Sequence, residues 1–154
     1  YKMTRFEDED WGISEGEDIL KVFDLGYTHV GISICFDAEF PMLASLLAHR
    51  GAELLLVPSC TETLWGHNRV HVGARARALE NQFVVGVCPV VKNSKWCEAI
   101  DKNTGFAALY GPSDLGFPED GVIKQGTLNK VQWLYAEVNP KSIETVREKG
   151  GVFN

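Results

Sequence analysis

Three apolar, β-branched runs at 29–35, 53–57 and 83–91 are separated by two stretches with helical spacing. This alternation constrains the fold more than any other feature. Short apolar runs bounded by turn residues read as strands, and strands separated by helices read as parallel crossovers. After His29–Cys35, Pro41 sits where a first helical turn accepts it. Met42, Leu43, Leu46 and Leu47 follow at helical spacing, and Gly51 supplies a stop. Glu53–Val57 is a strand ended by Pro58, Ser59–Gly66 a loop, and His67–Gln82 a helix with Val70, Ala74, Ala78 and Leu79 along one side. Phe83–Val91 is the third strand. The expectation is an α/β layered fold with buried central strands. Shorter strands are expected at Ile19–Phe23, Gly105–Tyr110, Gly121–Lys124 and Val131–Val138, with a turn at Gly111-Pro112-Ser113 and a closing helix at Pro140–Lys149.

The chain has 154 residues, 45% hydrophobic and 23% charged, which fits one domain and excludes wholesale disorder. Its net charge of −6 argues against a nucleic-acid partner, whose surface would need clustered Lys and Arg. No apolar run nears the ~20 residues that span a bilayer, so no membrane partner is expected. The first ten residues are charged and lack the apolar core of a secretory leader. The four cysteines, Cys35, Cys60, Cys88 and Cys97, read as reduced thiols in a cytoplasmic protein. The acidic first 24 residues read as a solvated loop, of the kind that follows an earlier segment.

In strand-to-helix units, chemistry gathers at the C-terminal end of the strand. Cys35 occupies that place. A thiol on such a bend is exposed at its tip, the amide of Phe36 faces a developing oxyanion, and the nearby helix start favours the thiolate. The residues alone leave open a buried structural cysteine. Asp37 and Glu39 read as helix caps or dipole partners. Thr61 and Trp65 follow a strand end on the same side as Cys35; Trp65 could wall a pocket or pack on a neighbouring subunit. His67 and His71 share a helix face and could bind metal with Cys60, but no second cysteine pair supports this, so no metal is expected. Glu80 reads as an ion-paired structural group beside Arg75 or Arg77.

The run Val30-Gly31-Ile32-Ser33-Ile34-Cys35-Phe36-Asp37-Ala38-Glu39-Phe40-Pro41 resembles the nucleophile motif of the nitrilase, or carbon–nitrogen hydrolase, superfamily. Met3–Glu7, Gly51–Ser59, Ala74–Gln82 and Tyr110–Ser113 are similar to further segments of that family, in the same order. The resemblance implies an α-β-β-α sandwich of which residues 1–154 form the C-terminal part of a single domain. It implies cysteine-dependent hydrolysis of a small amide, possibly a nitrile, through a covalent thioester-type intermediate, with no cofactor. Cys35 becomes the nucleophile, Glu7 the family's second glutamate, and Phe36 an oxyanion donor, with Thr61 and Trp65 near the substrate. The family's general-base glutamate has no match here. The position of its lysine falls immediately before Tyr1, with Lys2 as the nearby substitute. The resemblance also implies a homodimer. It leaves open acyl transfer by the same cysteine, and a non-catalytic binding or regulatory module. The expectation is that these 154 residues alone are inactive.

Overall fold

The computed structural model describes residues 5–14, 16 and 20–152, without the side chain of Phe6. Lys2 and Ile19 lie outside the described residues. The elements run α1 (Arg5–Glu9), β1 (Val22–Asp24), β2 (His29–Ile32), a 3-10 turn (Cys35–Glu39), α2 (Pro41–His49), β3 (Leu54–Ser59), α3 (Leu64–Asn81), β4 (Val84–Pro89), β5 (Ala108–Tyr110), β6 (Val122–Gln125) and α4 (Pro140–Lys149). A second 3-10 turn spans Glu98–Ile100.

The six strands form one sheet in chain order. β2, β3 and β4 are parallel, joined through α2 and α3, and antiparallel strands extend both edges. Strand side chains alternate between faces. Gly31, Leu55, Val57, Val85 and Val87 therefore point to one face. There they meet Leu47 of α2 and Val70, Ala74 and Ala78 of α3 in one core. Burying a side chain such as Leu55 contributes roughly 1.5–3 kcal/mol.

The opposite face departs from the expectation of strands buried on both sides. Ile32 and Leu56 are each 40% exposed there, and Cys88 and Phe23 are exposed beside them. The crossover helices α2 and α3 lie on the other face, so β3 shows the alternating burial of a sheet covered on one side. At the N-terminal ends of the strands, α4 is tied down. Gln82 Nε2 donates to the Val146 carbonyl at 3.1 Å, and Arg147 donates to the carbonyls of Ala52 and Gln82 at 2.7 and 3.2 Å.

Several boundaries move for local reasons. The expected N-terminal loop contains one helical turn, Arg5–Glu9, closed by an Arg5–Glu9 ion pair at 2.8 Å. Pro58 lies inside β3 instead of ending it. Leu56 bonds toward β2 through Ser33, and Pro58 has the same parity; β2 has turned away there, so no ladder bond is lost. α3 begins at Leu64, three residues earlier than expected, because the Thr63 hydroxyl caps it by accepting from Gly66 N–H at 3.2 Å. Val131–Val138 forms no strand, and among the described residues no backbone hydrogen bond joins it to the sheet.

Candidate active site

Cys35 lies directly beyond β2, where the chain leaves the sheet for α2. Its φ is +47°, a left-handed conformation that is costly for a residue with a Cβ. Such strain persists only where the surroundings impose it. Here the turn is closed from within: Ile34 N–H donates to Asp37 Oδ2 at 3.0 Å, and Asp37 N–H donates to the Ile34 carbonyl at 2.9 Å. Asp37 thus acts as the capping group read from the sequence. Glu39 pairs with Arg69 across to α3 at 3.3 Å.

The Cys35 sulfur is half-buried and donates to the Cys60 carbonyl at 3.5 Å. Burial pushes the thiol above its ordinary value, and the negative charges of Glu7 and Glu39 push the same way. Backbone hydrogen bonding from Cys60 and Phe36 pulls it down, less strongly. Desolvation is the largest of these effects, and the net shift runs opposite to the one the sequence leads one to expect of a thiol near a helix start. The charge of Glu7 in α1 and the Phe36 backbone thus both act on the Cys35 sulfur, in opposite directions.

Thr61 and Trp65 are placed differently. The Thr61 hydroxyl donates to the Thr104 carbonyl at 2.8 Å, tying two loops together. Trp65 is 79% exposed and lines a groove of about 620 Å³ over α3, with Glu39, Arg69 and Val72. Cys35 does not line that groove.

Asn103 was not visible as a site residue in the sequence. Its Oδ1 accepts from the Cys60 thiol at 2.9 Å, and its Nδ2 donates to the carbonyls of Lys92 and Ile100, both at 2.7 Å. It locks the 92–104 loop onto the loop beside Cys35. No local pattern marks it, since all its partners but Ile100 are distant in sequence.

His67 and His71 are buried with ring centroids 4.1 Å apart. Burial lowers both, and His71, also facing His67, falls to about 4. Burial lifts Tyr110, which meets His71, to about 12. Among the described residues, no group of three His, Cys, Asp or Glu side chains is arranged to hold a metal. Glu80 pairs with Arg77. No helix among the described residues is long and apolar enough to cross a membrane.

The family model for carbon-nitrogen hydrolases matches residues 2–148. A probable hydrolase of Bacillus subtilis, YhcX, is 34% identical over 99% of this chain and 30% of its own length. The omega-amidase NIT3 of Saccharomyces cerevisiae is 32% identical over 88% of this chain and 43% of its own. The crystal structure of S. cerevisiae Nit3, of the nitrilase superfamily, superposes with a TM-score of 0.74 at 29% identity, covering 91% of this chain and 48% of that one. The chain spans half or less of the length of these relatives. With the strand-end cysteine, the mixed sheet and the matched segments agreeing, the chain belongs to the carbon-nitrogen hydrolase family.

Proposed function

We propose that the protein hydrolyses a carbon–nitrogen bond of a small molecule, most simply an amide, with Cys35 as its nucleophile. The observation that carries this is the left-handed Cys35 at the strand end, its sulfur close to the Phe36 amide and the Glu7 charge. The omega-amidase relatives support amides as the substrate class. A nitrile would be attacked in the same way and give a thioimidate.

As sulfur bonds to the carbonyl carbon, the thiol proton passes to a carboxylate. The oxygen gains charge and faces the Phe36 N–H. Collapse of the tetrahedral intermediate breaks the carbon–nitrogen bond, and the carboxyl returns its proton to the leaving amine or ammonia. Water then adds to the thioester, releasing a carboxylic acid and restoring the thiol. In this reading Glu7 positions substrate or the oxyanion-stabilising lysine. The lysine and the general-base glutamate lie outside residues 1–154, which accords with a chain matching half or less of its relatives. The exposed groove over α3, with Trp65 and Val72, is where a second copy would pair.

Acid quenching during turnover of a small amide by the full-length enzyme that carries the general base and the lysine, followed by peptide mass analysis, tests this. The acyl group should be found on the peptide containing Cys35, and Cys35→Ala should release no ammonia. Turnover by Cys35→Ala at the parent rate would overturn the proposal.

A further inference from the structure

Arg77 is a charged side chain that the proposed reaction does not use, yet it is only 6% exposed. Burying a guanidinium is costly unless it is paired and hydrogen-bonded. Its Nε faces Glu80, three residues on. Its Nη1 reaches away from its own helix and donates to the Ala38 carbonyl at 3.2 Å. Ala38 is fully buried and belongs to the 3-10 turn that starts at Cys35.

One helical turn earlier on α3 is Gly73, on the same face. A Cβ built there would lie 2.6 Å from the Ala38 oxygen and 3.1 Å from both the Ala38 carbonyl carbon and the Glu39 Cα. Glycine inside a helix costs roughly 1 kcal/mol relative to alanine, so its presence needs a reason. The close approach of the Ala38 backbone supplies one. Gly73 opens a notch in α3, the turn's carbonyl enters it, and Arg77 binds that oxygen.

We infer that Gly73 and Arg77 together are positioning residues for the nucleophile, holding the Ala38 carbonyl so that Cys35 keeps its left-handed conformation. This rests on Cys35 being the nucleophile. Internal hydrogen bonds close the turn but do not attach it to the domain, and Ile34 at its start is exposed. The α3 notch attaches its middle, between the Cys35–Cys60 hydrogen bond at its start and the Glu39–Arg69 pair at its end. The planar guanidinium serves a carbonyl and a carboxylate at once, which a lysine ammonium does with less directional control. Arg77 meets the turn at the Ala38 carbonyl, so its influence on Cys35 runs through backbone position.

The test compares Arg77→Met, Arg77→Lys and Gly73→Ala in the full-length enzyme that carries the general base and the lysine, with Cys35→Ala as control. Kinetics on a small amide and hydrogen exchange of peptides covering 33–40 and 54–59 are recorded. Arg77→Met should lower kcat about tenfold or more with KM little changed, and speed exchange in 33–40 but not in 54–59. Arg77→Lys should recover part of kcat. Gly73→Ala should lower kcat similarly with every charge in place, although alanine favours the helix, so the inference stays testable if Arg77→Met does not fold. Parent-like kcat and exchange in Arg77→Met or Gly73→Ala, while Cys35→Ala is inactive, would overturn it. So would faster exchange in both peptides, which marks general destabilisation. Activity in Cys35→Ala would instead refute the nucleophile assignment.

Discussion

His71 Nδ1 and the Tyr110 hydroxyl lie 2.6 Å apart in the seam between α3 and β5. The His71 ring also packs on His67 and Phe106, so a proton there meets apolar surroundings and a second imidazole. The folded chain holds His71 at about 4, against 6.5 for an ordinary histidine. Between those values the unfolded chain binds more protons, so stability falls as pH drops from 6.5 to about 4 and this contribution then levels off. The loss from this group is at most about 3 kcal/mol. Urea titrations at several pH values should show the decline, and His71→Gln should flatten it. Tyr110→Phe should cost about 1–2 kcal/mol near neutral pH by removing the hydrogen bond.

The side chain of Asn103 joins three partners, and an aspartate tests which bonds matter. Asn103→Asp keeps the shape but cannot donate to the carbonyls of Lys92 and Ile100. It should destabilise at least as much as Asn103→Ala, for which about 1–3 kcal/mol is expected. Chemical denaturation measures the cost. Faster proteolysis within 92–104 would show that this loop is what loosens.

Glu7 contributes negative charge that holds the Cys35 thiol up. Glu7→Gln removes it, so the pH profile for alkylation of Cys35 by iodoacetamide should move to lower pH. The Cys60 profile should move the same way, because Glu7 also raises that thiol. Peptide mass analysis over a pH series reads both.

Trp65 and Val72 stand exposed on one groove of α3, 79% and 68% respectively. If a second copy covers them, Trp65→Asp and Val72→Asp should each shift the protein from dimer to monomer. Sedimentation or light scattering at matched concentrations gives the result. Leu55→Ala, inside the core, should instead cost roughly 2–5 kcal/mol of stability.

The succession from β2 to β4 was legible because the strand and helix periods differ and each element buries one consistent face. Cys35 was legible from its place after an apolar run and from the segments around it. The start of α3 was hidden because Leu64, Trp65 and Gly66 look like loop residues until Thr63 is recognised as the cap. Val131–Val138 was misread because apolar and polar residues alternate as in a strand, while pairing depends on a neighbour that the segment's own residues do not specify. The grip of Arg77 on Ala38 spans 39 positions, which no local pattern encodes. A glycine four residues before an arginine inside a helix was its one available trace.

The run 131–138 has consequences for handling the protein. Trp133 and Tyr135 are stacked at 6.4 Å and lie 85% and 77% exposed on a segment that is not itself a strand. Two large exposed aromatic rings held together are a ready site for unwanted self-association. Solubility of the 154-residue chain on concentration should improve with charge at Trp133 or Tyr135.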